Sequence, residues 1–473
     1  IFCKSKELKF IMQRFILLTN ILFQILNFVE ILRLDLAMST PTKRVAFHTM
    51  GCKLNFSETS TISRDFLLYG FEKVDYRDHA DIYVLNTCSV TENADKEARK
   101  LIRQAKRRNP DSSVAVIGCY AQLKPDEIAD IEGVDLILGA EEKFNLFSHL
   151  KAMDLNNDTK VIKSKIDQVH SFKSSYSSGE RTRSFLKIQD GCDYTCSFCT
   201  IPLARGESRS DTIANTMKVA RKVAKTDTRE IVLTGVNIGD FGKGRKETLF
   251  DLLQELEGLK GIDRIRISSI EPNLLTDEII QFCAVSQKFM PHFHVPLQSG
   301  SDKILNAMRR RYRSSVYKNR MEKIKDFIPD ACIGVDVIAG FPGETRDDFL
   351  DTYNFLNSLD IAYLHVFTYS ERPRTDAVNL KPEISKEERA RRSKMLHILS
   401  DKKQRFFHEK FIGKKRPVLF ESMKNGKVMG HTDNYIQVQV DGEADYINTI
   451  ESVNLSVNHG TIVDGQIIEK VTE

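Results

Sequence analysis

Three cysteines fall close together in the run Gly191-Cys192-Asp193-Tyr194-Thr195-Cys196-Ser197-Phe198-Cys199. A C-x3-C-x2-C spacing concentrates soft thiolates, the ligands that zinc and iron–sulfur clusters prefer. A structural zinc ion usually takes four ligands. No fourth Cys or His lies nearby in the sequence, so zinc is the weaker reading. Three ligands on a four-iron cubane leave one iron open for a substrate or cofactor. Three further cysteines, Cys52, Cys88 and Cys119, have no local metal spacing. Each instead stands just past a short apolar run: RVAFHT from Arg44, DIYVLN from Asp81 and SVAVI from Ser113. Where such strands form a parallel sheet, the loops after their carboxyl ends gather on one edge, the edge that binds ligands. Three thiols remote in sequence should then meet in space. Free cysteines used as small hydrophobes are the simpler alternative, but three of three at the same structural position argue against it. Cys283 and Cys332 read as core residues, and Cys3 carries no assignment.

The elements that must position these thiols alternate in period. Apolar runs with strand character are separated by amphipathic helical stretches, such as residues 92–108, which predicts an α/β fold with a parallel sheet over 42–150. Residues 151–183 are polar and weakly periodic and read as a linker. From 184 to 410, runs such as EIVLTG, RIRISSI, HFHVPL, IGVDVIAGF and AYLHVFTY recur with helices between most of them, as in a partial or full β/α barrel. Short β-rich runs split by glycines over 411–473 predict a small antiparallel barrel. The opening stretch, 1–37, differs from the rest. Its uncharged run from Phe15 to Val29 is shorter than the ~20 residues that span a bilayer. Translation is expected to begin at Met38, with the upstream stretch an over-extended frame.

With 41% apolar and 29% charged residues in a chain of 473, wholesale disorder and a multi-span membrane protein are excluded. A net charge of +5 is too small for a polycation, so contact with nucleic acid must come from local patches. Nine cysteines without a dense framework argue for metal or redox use in a reducing, cytoplasmic compartment. Arg309, Arg310, Arg311 and Arg313 around Tyr312, with Lys414 and Lys415, are the candidate RNA-binding residues.

One cysteine after each of three strands, then C-x3-C-x2-C in a barrel, then a small β domain, resembles the radical SAM methylthiotransferases. Met50-Gly51-Cys52-Lys53-Leu54-Asn55, Asn86-Thr87-Cys88-Ser89, Gly118-Cys119-Tyr120-Ala121-Gln122 and Pro202-Leu203-Ala204-Arg205-Gly206 look most like the branch acting on N6-threonylcarbamoyladenosine in tRNA. Ile270-Glu271-Pro272, Pro291-His292-Phe293-His294 and His365 to Ser370 point the same way. The resemblance implies two 4Fe-4S clusters, one on Cys192, Cys196 and Cys199 that binds S-adenosylmethionine, the other on Cys52, Cys88 and Cys119. It places the nucleoside cofactor near Phe198, Gly235 and Asn237, while Gln298, Ser299, Asp336 and Gly340 end later strands where ribose and adenine could sit. It implies a TRAM-like last domain, tRNA as partner, a reducing electron donor, a sulfur source and no membrane. The adenine C2–H bond is neither acidic nor electrophilic, so a carbon radical is the plausible route to a 2-methylthio group. Sister branches act on isopentenyladenosine in tRNA or on a ribosomal protein; outside the class, a non-enzymatic iron–sulfur RNA-binding protein is the rival.

Overall fold

The computed structural model describes residues 42–468, apart from 90, 154–158 and 180–181. The expected upstream extension, 1–37, lies outside the described residues. Six short strands build the first unit: β1 (Arg44–Thr49), β2 (Glu72–Val74), β3 (Ile82–Thr87), β4 (Ser113–Gly118), β5 (Leu136–Leu138) and β6 (Lys160–Ile162). They form one parallel sheet in the order β2-β1-β3-β4-β5-β6. Neighbouring residues point to opposite faces, so Ala46, Leu85 and Val116 enter one core and Val45, Val84 and Ala115 the other. Burial on both faces explains why these strands read as continuous apolar runs. The order reverses between β1 and β3, a switch point at which α/β sheets open a crevice. Helices α1 (Lys53–Leu68), α2 (Glu92–Arg108) and α3 (Cys119–Leu123) leave the carboxyl ends of β1, β3 and β4.

The segment read as a linker, 151–183, is not one. β6 extends the first sheet, and β7 (Ser175–Tyr176) pairs antiparallel with β8 (Arg183–Lys187) in the next. Two and three residues are too few to display a period, which hid both strands. Side chains then stitch the units: Ser57 Oγ lies 3.0 Å from Ser175 Oγ, and Arg64 donates to the Tyr176 carbonyl at 2.9 Å.

In the central unit, β9 (Gln189–Asp190) and β10 (Arg209–Ser210) make an antiparallel ribbon that brackets the cysteine loop. β8, β11 (Glu230–Thr234), β12 (Arg264–Ile267), β13 (His292–His294), β14 (Cys332–Ala339) and β15 (Tyr363–Thr368) run parallel as two sheets. Isolated pairings such as Ser269 with His294 join them. Among the described residues no pairing links β8 to β15, so the barrel is open. The last unit is a closed barrel of β16 (Lys415–Lys424), β17 (Lys427–Thr432), β18 (Gln437–Asp441), β19 (Ile450–Asn458) and β20 (Val463–Ile467). It differs from a simple antiparallel barrel in one parallel pair, β18 with β20. This barrel docks on the central unit through buried arginines. Arg264 donates to the carbonyls of Pro417 and His431, and Arg266 to those of Thr432 and Asp433.

Candidate active site

The loop after β9 is shaped by its first glycine. Gly191 has φ +70, and a Cβ there would meet the Glu207 carbonyl oxygen at 2.0 Å, so only glycine lets the chain turn into the cysteines. Cys192, Cys196 and Cys199 then line one cavity of about 280 Å³. Donors converge on their sulfurs: the Tyr194 amide on Cys192 at 3.4 Å, the Ile201 amide on Cys199 at 3.5 Å, and Arg310 Nη1 on Cys196 at 3.2 Å. Burial pushes the Cys192 thiol up to about 11 and the Cys199 thiol up to about 12. Burial also raises Cys196, against the pull of Arg310. Metal ligation must therefore displace a proton from each. Among the described residues the cavity lining holds no histidine and no fourth cysteine. Three converging thiols, each with a hydrogen-bond donor, fit a cluster with one iron free of protein ligands.

The second set comes from the switch point. Cys52 is the N-cap of α1, Cys88 directly follows β3, and Cys119 opens α3. Gly51, at φ +89, brings the first two strand ends together; a Cβ on it would lie 2.9 Å from the Cys88 sulfur. Burial raises the Cys119 thiol, Arg205 acts against that shift, and the charge of Cys52 reinforces it. Cys52 and Cys88 line a larger cavity of about 1010 Å³. Four residues, Thr91, Ser269, Asp336 and Phe367, line both this cavity and the smaller one. The space lined by Cys52 and Cys88 therefore meets the one lined by Cys192, Cys196 and Cys199, while the buried Cys119 lines neither.

A buried set of charges fixes that meeting. Glu58 of α1 accepts from Lys143 at 2.5 Å, from Lys187 at 2.9 Å and from Arg205 at 3.1 Å. Asp190 takes Lys187 at 2.7 Å and Arg205 at 2.9 Å, and Arg205 also donates to Asn55 at 2.5 Å. Burial alone would raise the Glu58 carboxyl, but Arg205, Lys143 and Lys187 outweigh it and hold it well below the usual range. The helix that begins at Cys52 is thereby tied to β8, β9 and the helix Ile201–Arg205 just past Cys199. A second tie joins Arg372 to Asp95 at 2.8 Å and to Ser89 at 2.6 Å, on the opposite flank of Cys88.

Phe198, Asn237, Gln298 and Asp336 line the small cavity with the cysteines, and Gly235 lines the large one. Asp336 accepts from His294 Nε2 at 2.7 Å, and donor atoms of His294, Asp336 and His365 lie within 4.8 Å of one another. Two expected cofactor contacts are corrected. Ser299 is fully buried, its hydroxyl 3.0 Å from Thr352 Oγ1, so it has no face toward either cavity. Gly340, at φ +77, is a turn residue that lines neither cavity, and a Cβ on it would meet the Arg389 side chain at 2.4 Å. Arg310 is corrected as well. It is not a surface contact for RNA: its side chain is 4% exposed and pairs with Glu271 beside Cys196. A charge run gives no sign that one member turns inward. Arg309, Arg311, Arg313, Lys414 and Lys415 are exposed. Sequence reasoning assigned no role to Glu58, Asp190, Lys187, Glu271, His294 or His365. Lys187 and Asp190 had one available signal, polar residues interrupting an apolar strand, whereas Glu58 on a helix and Glu271 in a loop had none.

Comparison with known proteins agrees with this geometry. Uncharacterized protein family UPF0004 matches residues 44–139, and the Radical SAM superfamily matches 186–356. The threonylcarbamoyladenosine tRNA methylthiotransferase of Bacillus subtilis is 36% identical over 91% of this chain and 97% of its own length. That of Aquifex aeolicus is 38% identical over 84% of this chain and 97% of its own. The tRNA-2-methylthio-N(6)-dimethylallyladenosine synthase of Endomicrobium trichonymphae is 32% identical over 86% and 96%. Among solved structures, the radical S-adenosylmethionine methyltransferase TsrM from Kitasatospora setae shares the fold, with TM-score 0.52, 14% identity and coverage of 71% of this chain and 77% of that one.

Proposed function

This chain belongs to the tRNA methylthiotransferase family of radical SAM enzymes, and we propose that it attaches a methylthio group to C2 of N6-threonylcarbamoyladenosine beside the anticodon. The observation that carries this reading is the pair of connected cavities, one bearing Cys192, Cys196 and Cys199, the other Cys52 and Cys88. Cys192, Cys196 and Cys199 would hold one [4Fe-4S] cluster, with S-adenosylmethionine beside it. Cys52, Cys88 and Cys119 would hold a second. These groups supply reductive cleavage of S-adenosylmethionine and a sulfur held for transfer to an unactivated C–H position.

The chain's own residues bind and orient. Asn237, Gln298 and Asp336 offer polar contacts to the nucleoside cofactor, and Phe198 an aromatic face. Arg310, anchored on Glu271, directs its guanidinium at the Cys196 sulfur. The larger cavity has room for a base swung out of the anticodon loop, and Tyr435, His431 and Phe367 offer rings for stacking. Arg309, Arg311, Arg313, Lys414 and Lys415 are proposed phosphate contacts, the last two on a TRAM-like barrel. The reaction also needs a reductant and a sulfur source, and the proposed compartment is the cytoplasm, where a tRNA substrate would be met. No helix among the described residues is long and apolar enough to cross a membrane.

Nucleoside mass analysis of tRNA with and without the gene tests the reading; an unchanged 2-methylthio pool would reject it. Cys196→Ala should abolish 5′-deoxyadenosine formation. Cys88→Ala should keep that cleavage and lose sulfur insertion.

A further inference from the structure

A third chamber, of about 320 Å³, opens off the large cavity on the Cys52 side. It shares Cys52, Lys53, His292 and Tyr435 with that cavity and adds Arg183 and Arg266. All three units of the fold build it. We propose that this chamber is the subsite for the carboxylate of the threonyl group carried on N6 of the substrate adenosine, with Lys53 as its charged partner. The inference rests on the tRNA reading above and deepens it by naming what selects the modified base.

Charge is the first argument. Arg266 is held by Glu230 at 2.8 Å and by two carbonyls of the last barrel, and Arg183 by Glu421 at 2.9 Å. Lys53 is exposed, lines both this chamber and the large cavity, and has no ion pair or hydrogen bond among the described residues. Its charge is therefore the one in the chamber not already taken by an acid or a carbonyl, and it is free to make a charge-assisted hydrogen bond to an incoming anion. α1, which is 16 residues long, points its N-terminus into the same space, and Cys52 gives it no side-chain cap. The free amides there favour an anion as well. Tyr435 closes the wall from a strained left-handed conformation, φ 68, with Arg266 at 5.0 Å and Arg183 at 5.7 Å from its ring.

Position is the second. In adenine, C2 and C6 both flank N1, so a base that presents C2 beside Cys52 carries its N6 substituent along the same side. The sugar and its phosphates leave across N3, away from it. A threonylcarbamoyl group ends in a carboxylate on that side, whereas a dimethylallyl group ends in methyls. Phe56, Phe185 and Val232 line the remaining wall and suit the threonyl methyl.

The test is binding of anticodon stem-loop RNAs to the reconstituted, unreduced enzyme, read by fluorescence anisotropy. The wild type should prefer the threonylcarbamoyladenosine RNA over its unmodified-adenosine twin by about tenfold to a hundredfold, the worth of one charge-assisted hydrogen bond. Lys53→Gln should erase that preference by weakening only the modified RNA, and Lys53→Arg should retain most of it, which controls for folding. Equal weakening of both RNAs would mean a phosphate contact and overturn the proposal, as would a preference unchanged in Lys53→Gln. A wild type that binds and methylthiolates neither RNA would sink the underlying reading, and a wild type that modifies the first while Lys53→Gln still discriminates would sink the subsite alone.

Discussion

Glu58→Gln is the most direct perturbation of the seam between the two thiol sets. The Glu58 carboxylate is completely buried, and its three cationic partners are each no more than 3% exposed. The substitution keeps shape and some hydrogen bonding but removes one of two acids facing Lys143, Lys187 and Arg205, leaving Asp190 alone among them. Removing one partner of a buried ion pair costs about 3–5 kcal/mol, because the remaining charge stays desolvated. At about 2–4 °C per kcal/mol for units of this size, the midpoint of the transition should fall by roughly 6–20 °C. Thermal unfolding followed by circular dichroism on the cluster-loaded protein reads this out. In the variant, Lys143→Met should restore part of the loss by removing a surplus cation, a coupling that a double-mutant cycle isolates. A midpoint within 2 °C of the wild type would refute the argument, since it would mean that water already solvates these charges.

Arg310→Ala should depress 5′-deoxyadenosine formation while leaving stem-loop affinity unchanged; loss of RNA affinity instead would return Arg310 to the phosphate surface. By contrast, reversing Arg309 and Arg313 to Glu should weaken all RNAs alike and flatten the salt dependence of binding, and an unaltered salt slope would remove them from the interface. His408 offers a pH signature. Burial lowers it to about 4, so the unfolded chain takes up its proton first as pH falls below about 6.5. Stability should therefore be full above about 6.5 and decline towards 4, by up to about 3 kcal/mol, and His408→Phe should flatten that limb in acid-titrated denaturant melts. An unchanged limb would show that His408 stays hydrated in the fold.

The α/β core was legible because its strands are buried on both faces and read as apolar runs, and because a cysteine after each of β1, β3 and β4 needs only the strand order to converge. C-x3-C-x2-C is legible without any fold. What stayed hidden was whatever depends on two remote segments meeting. β6 and β7 are too short to show a period, and their roles exist only as partners of β5 and β8. Arg310 sits in a basic run that looks solvated, and only its pairing with Glu271, 39 residues earlier, turns it inward. Glu58 reads as an ordinary helical acid until Lys143, Lys187 and Arg205 arrive from three other segments.

Arg310 and Arg205 expose a shared device. Each cysteine set gathers negative charge once ligated, in a place where burial raises the thiols. A nearby cation offsets that cost, but a free cation would carry its own desolvation penalty and could swing away. Both arginines are therefore held from behind: Arg310 by Glu271 at the Cys196 sulfur, Arg205 by Glu58 and Asp190 where its charge counters the shift at Cys119. Arginine suits this task better than lysine because its fork binds the acid with one edge and keeps other donors free, and because it stays charged when buried. The acid behind Arg205 comes from the helix that starts at Cys52, so the same contact that tunes one thiol set also fixes its distance from the other. Stability of the seam and chemistry of the site are for that reason one property, and a substitution at Glu58 cannot alter the first without the second.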